Sequence, residues 1–302
     1  MRPRSTQIIF TAAILFALVA VTITTESGIA QSGVRPHANA SGGVQVGVVA
    51  RRDNGEMPVT SKEVSVYDNG VEQSIRNFTP DPSPAKIVLL VDNSLTIRAD
   101  VDKLEQAARE FAYEIYEGDK LLIVGYDEQA EIVSDWTDDA KSIEKSLKLF
   151  RKKGQPYLFD AIRAVVDQAL RPLPAQKRVI VVISDGLDRG SKATFEQTLA
   201  ELQAENITVY AVQAVDRTRG AIRRDVPKPK VVIDKLAEGT GGQIFSIDDP
   251  SAAAKAICDE LRKNRYVLSY VPSNAVFGQA RALLVLGNDG ITVRSKSMQQ
   301  PN

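Results

Sequence analysis

Asp92-Asn93-Ser94-Leu95-Thr96 follows directly on the apolar run Ile87 to Val91. A buried strand that ends in this way turns a carboxylate and two hydroxyls, at alternate positions, into one crevice. Oxygen donors of this kind suit a hard divalent cation such as Mg²⁺, Mn²⁺ or Ca²⁺, which keeps part of its water shell. The design recurs where the apolar run Val179 to Ile183 leads into Ser184-Asp185-Gly186. Side by side in an open α/β sheet, the two strands bring Asp92 and Asp185 to the carboxyl-end crevice where such sheets bind ligands. Each residue alone has a plainer use, because Ser, Thr and Asp also cap helices and close turns. The joint spacing at the ends of two apolar strands is what points to an ion.

The elements that must position these groups are legible around them. From Lys86 to about Lys263 helical and strand patterns alternate, as in a doubly wound, mostly parallel sheet. Leu104, Ala107, Ala108, Phe111 and Ile115 share one helix face, and Ile162, Val165, Val166 and Ala169 share another. Strands are expected at Lys120 to Tyr126, Ala130 to Ser134, Arg178 to Ile183, Ile207 to Ala214 and Gln243 to Ser246. Helices are expected around 141–149, 194–205, 231–238 and 251–263.

Outside that region the texture changes. Val44, Val46 and Val48 alternate, as do Val64 and Val66, with turn signals at Asp53-Asn54-Gly55 and Asp68-Asn69-Gly70. Strands return at Tyr266 to Tyr270, Ala282 to Leu286 and Ile291 to Val293, with Gly287-Asn288-Asp289-Gly290 read as a hairpin turn. Both ends of the chain are therefore expected to form one small antiparallel β domain, with the α/β domain inserted in it.

The crevice residues resemble the von Willebrand factor A domain and its metal-ion-dependent adhesion site. That family shows Asp-x-Ser-x-Ser after its first strand and Ser-Asp-Gly after its fourth; Asp92, Ser94 and Asp185 match, and Thr96 keeps the third hydroxyl. Gly154-Gln155-Pro156-Tyr157-Leu158-Phe159-Asp160-Ala161 is similar to the family's Gly-Gly-Thr-Ala-Leu-Tyr-Asp-Ala loop, so Pro156 stands where a metal-facing Thr is usual. Proline lacks a side-chain donor, and the resemblance therefore implies a degenerate site that is weak or lost. The lead-in from Val44 to Phe78 resembles a secreted, acidobacterial-type subgroup of these proteins. The implied organisation is a signal peptide at 1–30, a tether at 31–43, β-domain segments at 44–80 and 265–297, and an A-type domain at 85–264.

Composition narrows the function. Among 302 residues the formal charge is zero, which gives no reason to expect a nucleic-acid partner. His37 and Cys258 are the only residues of their types, which disfavours Ser-His-Asp and Cys-His catalysts, zinc clusters and intrachain disulfides. Arg2 and Arg4 precede the apolar run Ile8 to Ile23, and Gly28-Ile29-Ala30 has the small residues of a cleavage site. The protein is expected to be exported, periplasmic or extracellular, with no membrane span once the signal is removed; an uncleaved inner-membrane anchor is the alternative. Arg217, Arg219, Arg223, Arg224, Lys228 and Lys230 make a basic loop, read as solvated.

The expected function is a non-enzymatic, adhesion-type module for a protein ligand. An acidic side chain of the partner would complete the shell of an ion held by Asp92, Ser94, Thr96 and Asp185. Gln155, Pro156, Tyr157 and Asp188 are candidates for the partner-binding loops. Two alternatives stay open: a metal-assisted hydrolase or phosphatase using the same crevice, and a metal-free envelope scaffold. A phosphatase of the haloacid-dehalogenase type would take Asp92 as nucleophile, but Ser94 stands where its second acid belongs.

Overall fold

The computed structural model describes residues 43–301, apart from residues 98, 149, 175–176, 215–226 and 274–277. The segment read as a signal peptide and nearly all of that read as a tether lie outside the described residues, as do Arg217, Arg219, Arg223 and Arg224 of the basic loop.

Strands β1 (Val44–Arg52), β2 (Val64–Asp68), β3 (Val71–Gln73) and β4 (Ile75–Pro80) come first. They are followed by β5 (Ala85–Asp92), α1 (Val101–Glu114), β6 (Lys120–Tyr126), β7 (Ala130–Thr137), α2 (Ala140–Leu147) and α3 (Leu158–Val165). Next come β8 (Lys177–Ser184), α4 (Phe195–Ala204), β9 (Thr208–Gln213), α5 (Pro229–Thr240), β10 (Ile244–Ser246) and α6 (Pro250–Lys263). The chain closes with β11 (Arg265–Tyr270), β12 (Arg281–Gly287), β13 (Ile291–Ser295) and β14 (Met298–Gln299).

The central sheet has the order β10-β9-β8-β5-β6-β7, parallel except for β7. Its inner strands are apolar throughout because both faces are covered. Ile87, Leu89 and Val91 of β5 pack under α1, α2 and α6, while Val88 and Leu90 pack under α3, α4 and α5. Thr194 opens α4 with a capping box to Gln197, and Asp249 accepts from Ala252 N at the start of α6. Helix α3 runs on into one π-helical stretch, Val166–Leu170, that the periodicity did not reveal.

The two ends of the chain meet in a pair of antiparallel sheets, β13-β1-β11-β4 and β14-β12-β2-β3. Val46, Val48, Val66, Leu268, Leu283 and Val285 fill the space between them, and Phe78 stacks on Tyr266 with ring centroids 4.7 Å apart. The fold is thus the expected α/β, doubly wound, mostly parallel sheet with antiparallel β structure built from both chain ends.

One expectation fails. Gly287 to Gly290 do not close a hairpin, because β12 pairs with β2 while β13 pairs with β1. The turn carries the chain from one sheet to the other, which lets both Leu283 and Ile291 enter the shared core. Asp53-Asn54-Gly55 likewise joins strands of different sheets, whereas Asn69 and Gly70 do form the tight turn between paired β2 and β3. The short β14 was not foreseen.

The antiparallel sheets attach at the amino ends of the parallel strands. Lys177, the first residue of β8, reaches the Asp81 carbonyl at 2.8 Å, and Arg265 of β11 donates to Thr208, the first residue of β9, at 3.0 Å. The carboxyl ends, where Asp92 and Ser184 lie, face the other way.

Candidate metal centre and its rim

Register places the first acid. Asp92 ends β5 opposite Tyr126 of β6, and Val91 pairs with Ile183 of β8, so Ser184 closes the next strand at the same height. The Asp92 carboxylate is fully buried. Its Oδ2 accepts from Ser184 Oγ at 3.0 Å and lies 3.2 Å from the Tyr126 hydroxyl, which is 2.9 Å from Ser184 Oγ. Its Oδ1 accepts from Ser94 N at 2.9 Å. These donors are all neutral. Burial pushes the Asp92 carboxyl up to about 6; the bonds from Ser94 oppose the shift, and the nearby charge of Asp185 adds to it. Burial, with the Asp92 charge, also drives the Tyr126 phenol well above its usual range, so it remains a neutral donor.

The loop after β5 is pinned along its length. Asn93 N donates to Tyr126 O at 3.0 Å, Lys153 N to Asn93 O at 2.8 Å, and Leu95 N to Gly154 O at 3.1 Å. Alternation then does what the sequence pattern implies. Ser94 is buried, Thr96 is half-buried with its Oγ1 3.0 Å from Ser94 Oγ, and Leu95 between them is turned outward, 65% exposed.

Asp185 begins the loop after β8, and its Oδ1 accepts from Leu187 N at 2.9 Å. Gly186 is required here. Its φ is +84°, and a Cβ would lie 2.5 Å from Pro229 O and 2.6 Å from Ile233 Cγ1, so a side chain would push the start of α5 off the loop.

The loop before α3 completes the rim. Pro156 is buried and contributes its carbonyl, which accepts from Arg189 N at 2.7 Å. Tyr157 N donates to Asp127 O at 2.9 Å, and its ring lies so close to Gly190 that a Cβ there would meet Tyr157 Cε1 at 2.4 Å. Gln155 is half-buried. Asp188 faces inward, accepting from Phe159 N at 3.2 Å and Ser191 Oγ at 2.6 Å. Asp160 binds Lys192 N and Ala193 N, both at 2.9 Å.

The structure therefore gathers Asp92, Ser94 and Thr96 and sets Asp185 within electrostatic range of Asp92. Pro156, Tyr157 and Asp188 are engaged in holding the loops to one another. Tyr126 and Ser184 were not singled out from the sequence as groups that hold Asp92. Their shared signal is position, since each closes a strand that flanks β5.

The oxygen set fits a hard dication. The two hydroxyl oxygens lie 3.0 Å apart, within hydrogen-bond distance of each other, and both are oxygen donors of the kind such an ion takes. The Asp92 and Asp185 carboxylates supply the negative charge.

Residues 87–187 match the family model of the von Willebrand factor type A domain. The matched stretch holds Asp92, Ser94, Thr96, Pro156 and Asp185. Among solved structures, the chain is similar to an aerotolerance-related membrane protein from Bacteroides fragilis, at 18% identity and a TM-score of 0.48, over 59% of this chain and 99% of that one. It is similar to BatB from Bacteroides thetaiotaomicron, also at 18% identity, with a TM-score of 0.45 over 59% and 98%. A von Willebrand factor type A protein from Catenulispora acidiphila matches at 10% identity and a TM-score of 0.47, over 87% of this chain and 74% of that one. No curated protein sequence matches. Among the described residues no helix is long and apolar enough to cross a membrane.

Proposed function

We propose that the chain is an exported, adhesion-type interaction module of the secreted, acidobacterial-like kind, which captures a protein partner at the carboxyl-end crevice of its parallel sheet. Asp92, Ser94, Thr96 and Asp185 would hold a divalent ion there, Mg²⁺ first and Mn²⁺ or Ca²⁺ as alternatives, with water where Pro156 offers no hydroxyl. When bound, the ion supplies an open coordination position for a carboxylate of the partner. The observation that carries this reading is a fully buried carboxylate held only by neutral donors, beside two hydroxyls in contact with each other and a second carboxylate.

The protein's own groups have plain roles in this reading. Ser184 and Tyr126 fix one oxygen of Asp92, and Ser94 N fixes the other, so the carboxylate cannot swing away when a partner arrives. Ser94 and Thr96 are neutral, which leaves the charge on the ion only partly cancelled and keeps it attractive to an anion. Recognition is favoured over hydrolysis because Asp160 and Asp188, the nearby acids that could move a proton, are spent on backbone and hydroxyl donors.

Calorimetric titration of the metal-free mature protein with Mg²⁺, Mn²⁺ and Ca²⁺ tests the reading. Saturable binding that Asp92→Ala and Asp185→Ala both remove is expected. Binding unchanged in both folded variants would rule the site out.

A further inference from the structure

We propose that two residues outside the ion's donor set, Leu95 and Arg189, read the partner, and that the partner is an acidic protein segment with an apolar residue beside the carboxylate that enters the crevice. The inference rests on the crevice being the binding site proposed above, and it adds what that site selects.

Both residues hang from one short piece of backbone. Leu95 N donates to Gly154 O and Arg189 N donates to Pro156 O, two residues further on, so their anchor points are at most about 7 Å apart. Each donor nitrogen lies a further 3.1 or 2.7 Å from its carbonyl, so at about 3.3 Å per residue up to about four residues of an extended peptide span the two backbones. The Pro156 carbonyl, which any residue at this position would offer, holds the backbone of Arg189.

The side chains suit the role. Leu95 is 65% exposed although Ser94 and Thr96 on either side turn inward, and its anchored backbone means little ordering is needed when a partner covers it. Arg189 is exposed, and its guanidinium makes no ion pair or side-chain hydrogen bond among the described residues. Several arginines of the structure are engaged, with Arg163 and Arg171 on Glu201, Arg281 on Asp68 and Arg294 on Glu260. Arg51 and Arg76, like Arg189, are exposed and make no such bond among the described residues; Arg189 differs from these two in lying beside the crevice loops. The Arg189 backbone is held beside the crevice through Pro156 O, and a guanidinium without a partner among the described residues favours a planar carboxylate. Tyr157, its ring laid on Gly190, stiffens the backbone next to Arg189.

The charge pattern selects against a single anion. Asp92 and Asp185 lie at the floor, while at the edge Arg189 and Lys192 are exposed and the neighbouring acids Asp160 and Asp188 are turned to backbone and hydroxyl donors. A segment with one carboxylate over the floor and a second over Arg189 satisfies both regions, and an apolar side chain between or beside them covers Leu95.

The test is to pan a phage-displayed library of random peptides against the mature protein in Mg²⁺, with Leu95→Ser and Arg189→Glu panned in parallel. Both positions are exposed, and thermal melts superimposable on wild type confirm that the variants fold. Wild type is expected to enrich peptides with two acidic residues and a neighbouring apolar one. Leu95→Ser should lose the apolar preference. Arg189→Glu should lower recovery of the acidic peptides about tenfold and shift the second acidic position to Lys or Arg. Panning in EDTA separates the two readings: the same variant-dependent motif without metal would keep Leu95 and Arg189 as readers and remove the ion. Motifs indifferent to both substitutions, or no enrichment over a Leu95→Ser/Arg189→Glu double variant, would overturn the inference.

Discussion

Asp68 and Asp92 are both carboxylates with no exposed surface, and each lies beside a tyrosine hydroxyl, yet they are treated in opposite ways. Asp68, in the antiparallel sheets, receives Tyr270 at 2.8 Å and the Nε of Arg281 on both oxygens, at 2.9 and 3.0 Å. Its charge is matched within the protein, and the pair is structural. Asp92, at the far ends of the parallel strands, receives hydroxyls and one amide, with a second carboxylate near it. Its charge is left to be matched from outside. A buried acid that the fold neutralises is architecture; one that the fold positions and does not neutralise is where we propose the site.

Removing the built-in counter-ion should have the largest effect. Arg281→Ala leaves Asp68 buried and charged, and is expected to lower unfolding free energy by about 3–5 kcal/mol in urea melts. Arg281→Ala combined with Asp68→Asn should recover part of that loss. A cost below about 1 kcal/mol for the single variant would mean that water already serves Asp68, and the contrast with Asp92 would weaken.

Lys296 offers the mirror case, a buried cation whose Nζ, among the described residues, donates only to a carbonyl, that of Gln203 at 2.9 Å. Burial, assisted by the Arg281 charge, pulls its ammonium down to about 7. With the folded value below the unfolded one, the unfolded chain binds more protons between the two, so stability should rise with pH from about 7 to about 10.5. Lys296→Met should be the more stable protein below pH 7, by up to about 4 kcal/mol, and should lack that rise. Parallel pH profiles for the two proteins would show that the ammonium is solvated.

A smaller effect, of opposite sign to that of Arg281→Ala, is expected at the crevice. The Asp92 carboxyl is raised in the folded state, so it stabilises the metal-free fold below about pH 4 and loses that contribution as pH rises through about 6. Asp92→Asn in EDTA should therefore be more stable than wild type at pH 7.5, by about 2–3 kcal/mol, and flat across that window. Equal stability would mean that the ionised carboxylate is already compensated inside the fold.

Much of this was legible in the chain itself. Continuous apolar runs such as Ile87 to Val91, set between helical periodicities, announce strands covered on both faces, and the doubly wound sheet follows from them. Asp92, Ser94, Thr96 and Asp185 were visible because they cluster at strand ends with alternating spacing. Tyr126 and Ser184 were not, because their hydroxyls reach Asp92 across neighbouring strands, and strand order is not written locally. The Asp68–Arg281 pair is hidden for the same reason, its partners lying 213 positions apart. Gly287 to Gly290 show a further gap: turn residues mark a reversal, while the pairing beyond it is decided by which core the next strand can enter.

The most direct measurement is anomalous diffraction from crystals of residues 31–302 soaked in Mn²⁺. The account predicts a peak in the crevice about 2.2 Å from the hydroxyl oxygens of Ser94 and Thr96, absent in Asp92→Ala crystals soaked alike. A crevice without that peak, in crystals where Mn²⁺ is bound elsewhere or nowhere, would contradict it.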